Sequence, residues 1–169
     1  MKKGIFACIV LLLCMLLAGC GRTLSYDKDS FLENQKSYST IAQLIYNNYI
    51  EKNLSEDRLY LITERSVGYY DKESPDISPN IIYLDLTKEQ SEMAKRIFDS
   101  YRLDKHSLDS VWVNKGFVCF GNINGRNSLI YSADDVEPNF VNRPSEKVEH
   151  VYIEKICDHW YYACDKGKT

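Results

Sequence analysis

Acid–base chemistry near neutral pH rests on three histidines in this 169-residue chain: His106, His150 and His159. His150 follows Glu149, while His159 stands beside Asp158 and two residues after Cys157. Imidazole, carboxylate and thiolate are the donor types of a transition-metal site. Cys164 adds a second sulfur only if the loop around His159 is longer than two residues. No second paired set of ligands accompanies them, so Asp158 and His159 read as turn residues and no metal site is expected. Asp134, Asp135 and Glu137 offer oxygen ligands within one loop, but lacking EF-hand spacing they read as a solvated acidic loop. Carboxylates are numerous, and sequence alone selects no pair at a glycosidase separation. The chain has no G-x-S-x-G elbow, no phosphate-cradling G-x-x-x-x-G-K-[ST] loop, no H-E-x-x-H and no G-x-G-x-x-G. These absences argue against the commoner hydrolases, NTPases and dinucleotide enzymes. No catalytic residue and no cofactor is assigned.

The aromatic residues are the richer signal. There are 13 tyrosines, clustered at Tyr69-Tyr70 and Trp160-Tyr161-Tyr162. Successive residues of a strand face opposite sides, so one tyrosine of each adjacent pair is expected to face away from the helices. Exposed Tyr and Trp give large contact area at low entropy cost. Tyr69, Tyr70, Trp160, Tyr161 and Tyr162 are therefore the candidate binding residues. Cross-strand packing in a tyrosine-rich sheet is the competing reading.

A third kind of chemistry lies at the N-terminus. Met1-Lys2-Lys3 is a short basic start, an apolar run extends from Ile5 to Leu17, and Leu17-Ala18-Gly19-Cys20 closes it. Thirteen such residues span about 20 Å as a helix, short of a hydrocarbon core about 30 Å thick. The pattern is that of a secretory signal peptide. Its last four residues resemble the lipobox of bacterial lipoproteins. That resemblance implies cleavage before Cys20 and a diacylglyceryl group on its sulfur, with palmitate-type chains anchoring the protein outside the cytoplasm at the cell membrane or outer membrane. Residue 21 is Gly rather than Asp, so in a two-membrane host the resemblance implies no retention at the inner membrane.

Residues 1–19 are then the signal, 20–28 the lipidated Cys and a short tether, and 29–169 a single domain. Loss of Lys2 and Lys3 takes the 21 basic residues to 19 against 24 acids, a mature charge of −5. An acidic body without a basic run argues against nucleic acid as a partner. Cys119, Cys157 and Cys164 remain, an odd number, so at least one stays unpaired within a monomer. A two-residue turn at Asp158-His159 puts Cys157 opposite Trp160 and Cys164 opposite Ile153, too offset to bond well. One bridge from Cys119 to a neighbouring strand and three buried thiols are the two remaining alternatives.

Periodicity supplies the elements that position these residues. Ser30-Phe31-Leu32-Glu33 resembles a capping box, and Phe31, Tyr38, Ile41, Ala42, Ile45 and Tyr49 form one apolar stripe of a helix ending near Asn53. Thr87-Lys88-Glu89-Gln90 is a second box. It opens a helix with the face Met93, Ala94, Ile97, Phe98 and Tyr101 and an i,i+4 pair of Glu92 with Arg96. Strands are expected over 58–63, 80–86, 111–113, 117–121, 128–132, 148–157 and 160–164, with 66–70 as a further candidate and turns at Asn114-Lys115-Gly116 and Asn124-Gly125. A loop rich in acids and prolines runs from Ala133 to Lys147. Two helices and roughly seven strands give an α+β domain with both helices on one face of a curved, mainly antiparallel sheet. The opposite sheet face is expected to be open.

Small size, a lipid anchor and the missing catalytic motifs favour a non-catalytic lipoprotein that binds an envelope or secreted protein, as an immunity, inhibitor or accessory module. Capture of a glycan, peptide or lipid between helices and sheet is the alternative, and an enzyme using His150, His159 and nearby acids is a third. Because Cys20 lies outside the core, Cys20→Ser should release a folded protein from membranes. Membrane fractionation reads this, and a variant that stays bound would mean an uncleaved signal or a domain that itself binds the bilayer.

Overall fold

A computed structural model describes residues 28–54, 56–71, 80–102, 108–121 and 127–165. The signal segment, Cys20, the tether, His106 and the Asn124-Gly125 turn lie outside these residues. Helix α1 spans Lys28–Glu51 and α2 spans Lys88–Arg102. The strands are β1 (Arg58–Ile62), β2 (Val67–Tyr70), β3 (Ile81–Tyr83), β4 (Leu108–Asn114), β5 (Phe117–Gly121), β6 (Asn127–Ser132), β7 (Val151–Cys157) and β8 (Trp160–Asp165). All pairings are antiparallel and form one open sheet in the order β3-β2-β1-β4-β5-β6-β8-β7. The α+β architecture is thus as expected, with eight strands where about seven were read.

The predicted helix stripes face the core, with Phe98 of α2 half-buried and the Tyr101 side chain outside the described ones. Phe31, Tyr38, Ile41, Ala42, Ile45 and Tyr49 of α1 are buried, as are Met93, Ala94 and Ile97 of α2. They pack on Tyr60, Ile62, Val67, Val111, Val113, Val118, Phe120 and Leu129 of the sheet. The second capping box forms as read: Thr87 N donates to Gln90 Oε1 at 2.9 Å and Gln90 N to Thr87 Oγ1 at 3.2 Å. Helix α1 instead starts at Lys28, two residues before the first box. The recorded i,i+4 ion pair of α2 is Lys95 with Asp99 rather than Glu92 with Arg96.

Trp160 is the centre of the helix-side core. Its ring lies 4.9 Å from that of Phe31, 5.8 Å from Phe120 and 5.4 Å from Tyr131, and its indole N–H donates to Ser39 Oγ at 3.0 Å. Tyr38 bridges the helices, donating to Ser100 Oγ at 3.3 Å while Ser100 donates to Ile97 O. Burial pushes the Tyr38 phenol up to about 12.

The expectation of an open second face is overturned. Residues 133–150 cross it as a strap, placing Phe140 on a second apolar cluster formed by Cys119, Ile130, Tyr161 and Ala163, with Trp112, Phe117, Val151 and Ile153 around it, and burying Val141 beside Cys119. The physical reason is β8, which pairs with both β6 and β7. The chain must therefore traverse the sheet before β7 begins. A polar average concealed Phe140 and Val141 inside this segment.

The last hairpin is also one residue off the expected register. Cys157 faces Trp160 as read, but Cys164 pairs with Tyr152, because a bulge at Ile156 shifts the ladder between Lys155 and Cys157. Trp160 and Cys164 are four residues apart on β8, about 13 Å, and strand alternation puts Cys119 on the other sheet face. The three cysteines are accordingly free thiols. Truncating the central ring, Trp160→Ala, should lower unfolding stability by about 3–5 kcal/mol. Urea denaturation followed by circular dichroism checks this, and a loss under 1 kcal/mol would remove Trp160 from that role.

Candidate functional site

The candidate tyrosines do not form one surface. Trp160 is 1% exposed and Tyr69 is 8% exposed, both within the helix-side core, with the Tyr69 ring 5.4 Å from that of Tyr60. Tyr161 does face away from the helices, but the strap covers it and leaves 3% exposed. Tyr162 is half-buried against the helix-side core, and Tyr70 is half-buried on the opposite face. Strand alternation was correctly read; the cover over the second face was not.

At the β7–β8 corner, two features that the sequence kept apart come together. Asp135, in the acidic loop, takes a left-handed conformation (φ 56°), as does His159 (φ 66°), which short polar side chains tolerate better than others. The Asp135 carboxylate accepts from His159 N at 2.9 Å, from Tyr161 Oη at 3.1 Å and from Lys155 Nζ at 2.5 Å. His159 Nδ1 sits 2.8 Å from Ser132 O, so the proton is on Nδ1. Asp134 and Glu137 stay exposed. Cys157 turns toward α1, where Gln35 Nε2 donates to its Sγ at 3.2 Å, while Asp158 points to solvent, 4.0 Å from Lys155. Cysteine, aspartate and histidine thus diverge, and among the described residues no three such side chains group around a metal position. His150 is exposed at the end of the strap. This corner is a polar clamp joining β6, β7, β8 and the strap. The sequence signal for it was an Asp and a His at turn positions.

A cleft of about 180 Å³ lies between the helices, lined by Glu33, Lys36, Glu89, Glu92 and Arg96 with Ser37 and Met93 deeper. Lys36 and Glu89 pair across it at 3.5 Å. Drug-sized ligands take larger, mostly apolar pockets of about 300 Å³ or more, so the cleft is a poor fit to a glycan or lipid.

The remaining feature is the sheet edge at β3, which sequence reading did not single out. Ile82 is 41% exposed on the helix side and Tyr83 55% exposed on the other. Ile81 pairs with Tyr70, and Tyr83 pairs with Gly68. A Cβ at Gly68 would lie 2.8 Å from Ile82 O and 3.1 Å from the Tyr83 ring, so only glycine lets β3 approach β2 this closely. β3 carries no charge, proline or bulge, and among the usual means of blunting an edge it has only its three-residue length. The opposite edge, β7, has Glu154, Lys155 and the bulge at Ile156. The cue available in the sequence was an uncharged Ile81-Ile82-Tyr83 run.

No protein-family model, curated protein or solved structure matches the chain.

The clamp has a pH signature. Hydrogen bonding from Lys155, then from His159 N–H, holds the Asp135 carboxyl below its ordinary value of 3.8. A carboxyl lowered on folding stabilises fully above its unfolded pKa, and that contribution is lost as pH falls through the folded one. Wild type should therefore lose stability below about pH 4 more steeply than Asp135→Asn. Thermal melts from pH 6 to pH 2 test this, and parallel profiles would exclude Asp135 as the acid-sensitive group.

Proposed function

We propose that the chain is a cell-envelope lipoprotein, anchored by a diacylglyceryl group on Cys20, whose domain is a non-catalytic module that binds another protein. The partner adds an extended strand to β3. The observation carrying this reading is the β3 edge, which no strand among the described residues pairs with on its outer side and whose exposed Ile82 and Tyr83 suit strand addition with side-chain pockets on both faces.

The position of the tether supports the choice of edge. The first turns of α1 lie over β8 and β7, through Phe31 on Trp160 and Gln35 on Cys157. Six strands lie between β3 and β7, which are seven spacings or about 34 Å apart along the sheet. The eight residue-to-residue steps from Cys20 to Lys28 reach at most about 28 Å. A lipid on Cys20 therefore keeps the β7–β8 end near the bilayer and leaves β3 pointing into the envelope space, where a soluble or secreted protein can reach it.

Crosslinking in native envelope, with mass spectrometry to map the linked residues, is the direct test. One protein should be captured with links near β3, and Ile82→Lys or Tyr83→Lys should reduce capture at least about tenfold, since a charge at an edge opposes pairing. Capture unchanged by both substitutions, or no partner above background, would overturn the reading.

A further inference from the structure

The two faces of the sheet are covered by different kinds of structure. On one side the helices are internally hydrogen-bonded and bury long apolar stripes. On the other, the strap 133–150 has neither helix nor strand, and Pro138, Phe140 and Val141 are its buried residues. Its recorded backbone bonds are local or at its root: Ala133 N to Gly116 O, Asp135 N to Ser132 O and Glu146 N to Arg143 O. Side chains make the rest of the attachment. Phe140 meets the Phe117 ring edge-on at 5.1 Å, Ser128 Oγ donates to Asn142 Oδ1 at 2.7 Å, and Cys119 Sγ donates to Val141 O at 3.2 Å. At the far end the Arg143 guanidinium lies 4.4 Å over the Trp112 ring, and Ser145 N donates to Asp57 Oδ2 at 3.1 Å. A segment with few buried side chains and no ladder opens at a fraction of the free energy of global unfolding.

We infer that residues 136–147 are a displaceable cover, which lifts from the sheet in a local opening that leaves the eight strands and both helices folded. The Asp135 clamp remains as the hinge post, and the Arg143 and Ser145 contacts are the latch. Lifting uncovers an apolar face centred on Phe117, Ile130 and Tyr161, and with it Cys119, which is fully buried in the closed state. The inference is independent of the β3 reading, since it concerns the other part of the sheet and neither the anchor nor a partner enters it.

Cys119 reports the opening. Burial pushes its thiol up to about 12 and holds it unreactive while the strap is down. The full-length protein is treated with N-ethylmaleimide under native conditions, and labelling of the Cys119 peptide is followed by mass spectrometry. The unfolding constant from urea denaturation of the same protein sets the rate that global unfolding alone would give. Labelling should exceed that rate at least about tenfold and change little in low urea, because a local opening exposes little surface. Arg143→Ala, which removes the cation–π latch, should speed it about threefold. Ile97→Val, a milder change in the helix-side core, should lower global stability and leave the Cys119 rate unchanged. Labelling at or below the global rate, or a rate that rises with Ile97→Val and ignores Arg143→Ala, overturns the inference.

Discussion

The placement of β8 between β6 and β7 sets the course of the second half of the chain. A strand that will be added in the interior requires its predecessor to be laid down one position further out. Residues 133–150 must therefore cross the sheet, and apolar Phe140 and Val141 make that crossing serve as a cover. The same pairing brings Trp160 under α1 and Tyr161 under the strap, since adjacent strand residues point to opposite faces. One pairing choice thus covers both faces of the sheet over β4 to β8, while Ile82 and Tyr83 at the β3 edge meet solvent.

Those edges are unequal. β7 is interrupted by a bulge and carries Glu154 and Lys155, and its root is held by the clamp at Asp135. β3 is short, uncharged and seated against Gly68. Charges and a bulge thus guard one edge, while among the described residues the other is guarded by its shortness alone.

Elements whose hydrophobic period is strong were legible in the sequence. The six-residue stripe of α1 and the Thr87–Gln90 box of α2 carry their own local signals, and both appear as read. So does the β4–β5 hairpin, whose turn glycine, Gly116, has φ 96°. What escaped the sequence depends on pairing between distant residues. Nothing local to Trp160 says that it neighbours Tyr131 rather than only Cys157, and without that pairing the strap has no reason to cross the face. The bulge at Ile156 moved Cys164 by one residue for a similar reason: the shift is visible only when two strands are aligned. Alternation splits each adjacent pair between the two faces as expected; Trp160 and Tyr69 are buried in the helix-side core, and the burial of Tyr161 turned on the undetected cover.

The Trp160-centred core also has a temporal meaning. Its ring contacts tie residue 31 to residue 160, a separation of 129 positions in a chain of 169. A polypeptide that is synthesised, or threaded through a membrane, N-terminus first has no native ring for Phe31 to pack on until nearly its whole length has emerged. Contacts of such long sequence separation form late and slowly. The amphipathic α1 must wait without its partner, so the intermediate with an uncovered apolar helix is the species on which holding factors and aggregation compete. A chain built this way stays loose until its C-terminal strands are present, and only then closes.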